Sequence, residues 1–401
     1  MNVNGLVSIL LLLTASTACG GAGQAGSGST APVRPPSSTS EPTPGASSIP
    51  QLLISTWAGY KDRFIQADGR VVDPDRAQAT TSEGQSYAML RAAWLNDRRT
   101  FDLAWMWTLQ NLGDPSRTRI GWLWGRAPDG GWRLLNTDSA ADADEDIALA
   151  LLFAAKRWDP SYQVPALALL DRIWTEDVAS VAGRPYLTAG NWAPQNPDGP
   201  VLNPSYLAPY EYRIFAAVDR SHPWIQLVTT SYDALEACTG APLEGTPGRL
   251  PPNWCGIDLS TAAPHPARGF NRPNDYGYDA FRTFWRIDLD AQWNREPRAL
   301  AYLRSQTFLL EEWRRNGRIS AEYTHDGVSR GTAEDLTVYA GAVGTFLVAD
   351  PKAADAIVTK LEGAAAGGDG AYFDRPGSYY EQNWVWFALG LAMGALPDLA
   401  R

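Results

Sequence analysis

The stretch 140–158, AADADEDIALALLFAAKRW, decides the fold class. Ile147, Leu151, Ala155 and Trp158 recur at the 3.6-residue spacing of a helix, so one stripe of the segment is apolar. Asp142 with Glu145 three residues later reads as a capping-box-like start. The same period returns along the chain. A helix opened by Ser82, with Gln85 three residues on, carries Tyr87, Leu90 and Trp94 on one face. Further helices are expected around 163–176, 206–219, 224–237, 279–293, 297–315, 333–348, 352–364 and 381–395. Alternating strand patterns are short and scarce, while Pro, Gly, Asn and Trp crowd long connecting segments such as 111–140 and 183–205. Many helices joined by long aromatic loops predict an all-α toroid or barrel whose function sits in the loops. No short internal repeat is visible, which argues against a solenoid.

The chain has 401 residues, 45% of them hydrophobic and 19% charged, enough for a large core. The periodic pattern starts near Leu52 and runs on without a second low-complexity break, so 51–401 is expected to be one catalytic domain. Residues 19–50 are nearly all Gly, Ala, Ser, Thr and Pro and cannot bury enough surface to fold, which makes them a linker. Residues 1–18, with an apolar run from Leu6 to Ala15, read as a signal peptide, although no Lys or Arg precedes Arg34. Ser16-Thr17-Ala18 before Cys19 resembles a lipoprotein processing site, so the expectation is either lipid attachment at Cys19, the sole membrane contact, or simple secretion. Cys238 and Cys255 are then left as a disulfide candidate across a Pro- and Gly-rich loop, or as two separate buried thiols.

A net charge of −10 repels phosphate backbones and argues against nucleic acid as a partner. The 17 Trp and 16 Tyr outnumber the 11 Phe; flat rings with a polar tip suit stacking on sugars whose hydroxyls need partners, and core filling accounts for the rest. Gly84-Gln-Ser-Tyr-Ala88 lacks the second Gly and the preceding strand of a nucleophile elbow. His222, His265 and His325 are far apart and outside any metal-ligand spacing, so no metal or cofactor is implied.

Three carboxylates stand beside aromatic loops at expected helix starts: Glu83, Asp142 and Asp279. Each has a structural account. Glu83 complements a helix dipole; Asp142 stands at the cap, and Asp144, Glu145 and Asp146 after it read as a solvated or dipole-complementing start; Asp279 pairs with Arg282 at i,i+3. Each has a chemical account too. Inverting hydrolysis of a glycosidic bond needs a protonated acid and, roughly 6.5–9.5 Å away, a carboxylate that activates water. Glu83 is held protonated if desolvation by nearby Trp side chains and a like charge at Asp142 outweigh the dipole, which requires the two helix ends to converge. Arg282 would then keep Asp279 ionised, and Tyr278 would orient the water or the ring.

The runs YKDRF at 60–64, DGRVVD at 68–73, TTSEGQSY at 80–87, NDR at 96–98, FD at 101–102, WLWG at 122–125, AADAD at 140–144, NPSYL at 203–207 and YDAFR at 278–282 occur in this order. Together they resemble glycoside hydrolase family 8, especially the periplasmic cellulase that accompanies bacterial cellulose synthesis. The resemblance covers much of 55–290 and is weaker over the last hundred residues. It implies an (α/α)6 barrel of six helical hairpins and an inverting endo-hydrolase of β-1,4-glycans, with Glu83 as proton donor, Asp279 as base and Asp142 holding the sugar at the cleavage point. Ala141 departs from the family's usual Ser or Thr. Trp122, Trp124, Trp132, Trp192, Tyr206 and Tyr278 are the expected sugar platforms, Trp124 and Tyr278 foremost. The expected substrate is β-1,4-glucan, acted on by a monomer. Xylan, chitosan or mixed-linkage glucan is the alternative within the same chemistry, and a non-catalytic envelope glycan-binding protein is the alternative outside it.

Overall fold

The structure, a computed structural model, describes residues 49–365 and 370–401. The expected leader, Cys19 and all but the end of the linker lie outside the described residues.

Thirteen helices are present among the described residues: α1 Gln51–Phe64, α2 Ser82–Trp94, α3 Arg98–Asn111, α4 Ala141–Arg157, α5 Gln163–Arg172, α6 Pro209–Val218, α7 Trp224–Gly240, α8 Arg282–Asn294, α9 Pro297–Ser305, α10 Phe308–Asn316, α11 Leu336–Ala349, α12 Pro351–Gly363 and α13 Tyr379–Ala392. Their sequences sort them into two layers. Helix α11 carries no charged side chain over LTVYAGAVGTFLVA, and a helix apolar all round belongs inside. Its neighbour α12 alternates Lys, Asp and Glu with Ala, Ile and Leu, the mark of a helix with one wet face. Helices α2, α4, α6, α8, α11 and α13 pack each on the next, and α13 returns to α2, closing an inner ring. Outside it, α3 lies on α2, α5 on α4, α7 on α6, α9 on α8, α12 on α11, and α1 on α13. This is an (α/α)6 barrel whose sixth hairpin is completed by α1 from the opposite end of the domain.

The expected helices are largely found, with informative shifts. The span 206–219 divides into a 3-10 turn, Pro204–Tyr206, and α6, because Pro209 fits only a first helical turn. The span 297–315 breaks at Gln306, whose backbone leaves the helical region. Helices α1 and α3 were not anticipated; in α3 the buried stripe of Phe101, Ala104, Trp105 and Thr108 is interrupted by polar residues that blur its period. The capping reading moves as well. Thr81, not Ser82, caps α2 by accepting from the Gly84 N–H, and α4 starts after Ala140 with no side-chain cap, so Asp142 and Glu145 form no capping box.

Short antiparallel strands fill the loops. Strands β1 Thr80–Thr81, β2 Leu123–Arg126 and β3 Trp132–Asn136 form a sheet that runs directly into α2. Strands β4 Val178–Val181 and β5 Arg184–Leu187 make a hairpin, and β6 Val201–Leu202, β7 Cys255–Ile257 and β8 Pro264–Pro266 make the third sheet. Cys238 on α7 is disulfide-bonded to Cys255 on β7, as one of the two sequence readings has it.

Helix α8 is set against α11 by two glycines. A Cβ on Gly344 would lie 2.3 Å from the Phe284 carbonyl oxygen, and one on Gly341 would strike the Phe281 ring. Gly→Ala inside a helix ordinarily stabilises by up to about 1 kcal/mol, but overpacking of this kind costs about 1–3 kcal/mol. Gly344→Ala is therefore expected to lower the melting temperature by several degrees, whereas Gly363→Ala, with open space around it, leaves it unchanged or higher. Differential scanning calorimetry of the two variants separates these outcomes.

Candidate active site

Glu83 is the second residue of α2, Asp142 the second of α4 and Tyr379 the first of α13, so three inner helices aim their N-termini at one place. Asp279 arrives from the turn three residues before α8 rather than from a helix start. Arg282, the first residue of α8, stands among them with 1% exposure. Its Nη1 donates to Glu83 Oε2 and to Asp142 Oδ2, each at 2.8 Å, and its Nη2 lies 4.0 Å from Asp279 Oδ1. The two helix ends thus converge, as the chemical account required. A planar guanidinium touching both carboxyls caps the Glu83–Asp279 oxygen separation at about 9 Å, within the upper range for an acid and base with water between.

The i,i+3 Asp279–Arg282 pair is consequently no exposed ion pair: the arginine is buried and its shorter bonds go elsewhere. Glu83 keeps 22% of its side chain open. Its other oxygen, Oε1, accepts from Tyr379 Oη at 2.8 Å. Burial pushes the Glu83 carboxyl up, Arg282 pulls it down, Asp142 pushes it up and the Tyr379 bond pulls it down; the net direction is up. Asp279 retains 46% side-chain exposure, yet protein crowds the carboxyl closely enough that burial raises it too, against the pull of Arg282. Arg282 thus restrains the rise at Asp279 without reversing it. Asp142 Oδ1 is buried and has no hydrogen-bond partner.

The aromatic residues ring this centre unevenly. Trp122 lies at the sheet that precedes Glu83, its carbonyl accepting from the Ser82 N–H at 3.0 Å and its ring beneath Arg76. Trp124 is half-buried, stacked on Trp132, edge-on to Trp107 and 4.4 Å from the Arg70 guanidinium, and Trp132, 43% exposed, is the more open of the pair. Tyr206 packs under the Arg282 guanidinium at 5.1 Å. Trp192 joins Trp254 and Phe270. The Tyr278 hydroxyl donates to Asp335 at 2.7 Å, so a role in orienting water would not fall to that group; its ring remains.

The acids that follow Asp142 overturn the solvated reading. Asp144, Glu145 and Asp146 are buried inside the barrel, since inner-helix positions on every side meet protein. Asp146 is bidentate to Arg286, at 3.1 and 2.9 Å, and Glu211 shares that guanidinium at 3.1 Å. Among the described residues no group of three or more His, Cys, Asp or Glu side chains is arranged to hold a metal ion.

The family model of the glycosyl hydrolases family 8 matches residues 46–376. The chain belongs to glycosyl hydrolases family 8. An endoglucanase of Xanthomonas axonopodis pv. citri is 37% identical over 59% of this chain and 60% of its own length, and one of Escherichia coli K12 is 36% identical over 49% and 53%. The match therefore spans between half and two thirds of these relatives. Among solved structures, the endo-1,4-D-glucanase of Vibrio fischeri ES114 superposes with a TM-score of 0.67 at 26% identity, covering 84% of this chain and 93% of that one. A cold-adapted family 8 xylanase, at 19% identity and a TM-score of 0.69, shares the fold.

Within this family 8 chain, sequence reasoning missed Tyr379, Trp254 and Arg286. Tyr379 lies in the last hundred residues, where the resemblance is thin. Arg286 stands four residues after Arg282 as Asp146 stands four after Asp142, a spacing that could have flagged it.

Tyr379→Phe removes a donor that favours ionised Glu83, so the Glu83 titration, read by carboxyl carbon NMR, is expected to move to higher pH than in the unmodified protein. The buried acids predict a second pH effect. Burial, first, and like charges hold Asp144, Glu145 and Glu211 well above the usual range, and burial pushes Asp177 up to about 7. The folded state thus keeps protons that the unfolded chain releases. Stability is full below the ordinary carboxylate range and is lost as pH rises toward about 7. Thermal melts from pH 4 to 8 should decline through that window, with a shallower slope in Asp177→Asn.

Proposed function

We propose that the chain is an inverting endo-hydrolase of β-1,4-linked glucan. The observation that carries this reading is the single guanidinium of Arg282, which gathers Glu83, Asp142 and Asp279 from three distant segments. The names of the endoglucanase relatives support the substrate class.

Glu83, raised by burial and by Asp142, arrives protonated and gives its proton to the glycosidic oxygen as the bond to the anomeric carbon breaks. Asp279, open to solvent on one side, takes a proton from a water molecule whose oxygen adds to that carbon from the opposite face. The products are a new hydroxyl on the leaving sugar and an anomeric hydroxyl of inverted configuration. By the family resemblance Asp142 holds the sugar at the cleavage point, and its charge helps keep the proton on Glu83. Trp132, Trp122, Trp192, Tyr206 and the Tyr278 ring line the approach as stacking faces. Residues 1–18 direct export, Cys19 provides a lipid anchor and 19–50 a tether for a monomeric domain outside the cytoplasm; the Cys238–Cys255 disulfide fits such an oxidising compartment.

Glu83→Gln and Asp279→Asn are each expected to lower turnover by about 10²–10⁴-fold while the melting temperature holds. Near-normal turnover in either would refute its role, and no hydrolysis of any glycan by the unmodified chain would leave a glycan-binding protein. Proton NMR of fresh products should show the α-anomer first. Reducing-sugar release from a panel of cellulose, mixed-linkage glucan, xylan and chitosan is expected to be fastest on the β-1,4-glucan.

A further inference from the structure

The segment that ends at Cys255 touches the turn bearing Asp279 at several points. Asn253 is 9% exposed, and its Oδ1 accepts from the Gly277 N–H at 3.2 Å and from the Ala280 N–H at 3.1 Å, the two sides of the turn that presents Asp279. The Ala280 N–H is shared with the Gly277 carbonyl, so the carboxamide stitches both ends of one loop. The Asn253 and Trp254 N–H groups donate to the Asp275 and Pro273 carbonyls at 2.7 and 2.8 Å. The Trp254 side chain faces Asp279 as a donor, a looser contact, and its ring is locked by stacking on Phe270 at 4.6 Å and by Tyr206 edge-on at 6.1 Å. Cys255, the next residue, pairs with Leu202 in the third sheet and is bonded to Cys238 on α7.

Three consecutive residues thus act on the backbone around Asp279, on its carboxylate and on an outer helix. We propose that Asn253 and Trp254 are positioning residues for Asp279, and that the Cys238–Cys255 disulfide anchors them. This rests on Asp279 being the base. A base must lie within hydrogen-bond reach of the attacking water, and a misplacement of about 1 Å costs about 10²-fold in rate. Asp279 sits in a turn, not in a helix, so the barrel alone does not fix it. The segment between the cysteines is rich in Pro and Gly and has no helix of its own, so a covalent tie to α7 limits its drift.

The test uses the full chain and a soluble cellulose derivative. Asn253→Ala is expected to lower kcat by about 10²-fold with KM nearly unchanged. Asn253→Asp restores most of the turnover, because a carboxylate accepts the same two N–H groups. Its charge moves the acidic limb of the rate profile to higher pH. Trp254→Phe keeps an aromatic face, though a smaller one, and loses the donor; kcat falls about tenfold and the acidic limb again moves up, since the lost contact favoured ionised Asp279. The other charged and titratable groups facing Asp279 are Arg282, Asp142, Arg76, Tyr206 and Tyr380, all untouched by these variants. Cys238→Ser/Cys255→Ser is expected to lower kcat with the barrel still folded by circular dichroism. A Trp254→Phe enzyme whose KM rises while kcat and the acidic limb stay put would assign that ring to the sugar and overturn the proposal. So would an Asn253→Ala enzyme with unaltered kcat. Asp279→Asn separates the two levels: if it is active the base assignment fails, and if it is inactive while Asn253→Ala is normal, only the positioning role fails.

Discussion

Arg282 carries a permanent charge with 1% of its surface open, and stripping such a group of water costs several kcal/mol unless anions and hydrogen-bond acceptors replace the solvent. The replacement is supplied by Glu83 from α2 and Asp142 from α4, with Asp279 nearby. None of the three is adjacent to another in sequence, so the buried guanidinium is satisfied only when the ring of inner helices has closed. The same constraint shapes the acids. Each is also drawn from water, and each gains from the arginine less than burial costs Glu83 and Asp279, so those carboxyls rise. The arrangement therefore combines a structural need, neutralising a buried cation, with a chemical result, a Glu83 carboxyl that holds its proton more tightly than a free one.

The pairing continues one helical turn deeper. Residues four apart on a helix stand on one face, so Asp142 and Asp146 on α4 look toward Arg282 and Arg286 on α8 as two rungs. The lower rung is bidentate and is joined by Glu211 from α6. Beyond it, Glu145 has both carboxyl oxygens buried with only a loose contact to the Tyr212 hydroxyl, and Asp144 has one oxygen buried without a partner. Acids outnumber arginines there, and the excess must stay protonated for the barrel interior to remain near neutral. Breaking one rung leaves an uncompensated charge, which is why the lower rung belongs to the upper one's support.

The chain disclosed its architecture through period and its chemistry through three short runs. Helices such as α2 and α4 were legible because their apolar stripes are unbroken; α3 was not, because Trp and polar residues share its buried face. The acids at 144–146 look solvated in sequence for a plain reason: a run of charge marks water unless a partner exists, and the partner of Asp146, Arg286 on α8, lies far along the chain, while Asp177 beyond α5 adds a like charge that raises Asp144. Tyr379 was invisible for a similar cause, its contact with Glu83 spanning nearly the whole domain. The disulfide pairing could be narrowed by counting cysteines but not decided, since only geometry shows that α7 and β7 meet.

On the proposed reading, the two acids must differ in charge at one pH although burial raises both. Two features separate them. An aspartic acid starts from a lower ordinary value than a glutamic acid, so equal displacement leaves Asp279 the more acidic. Exposure then widens the gap, because the Asp279 side chain is 46% open against 22% for Glu83 and water still reaches its charged form. Arg282 does not by itself create the difference: it lies nearer to Glu83 and favours ionisation there at least as much. The asymmetry comes from where each acid stands, Glu83 under Tyr379 at a crowded helix end and Asp279 on a turn at the open side. A sugar ring bound over both would exclude solvent from the second more than from the first. Binding would thereby raise Asp279 toward the basicity needed to draw a proton from water, at the moment when Glu83 is already protonated.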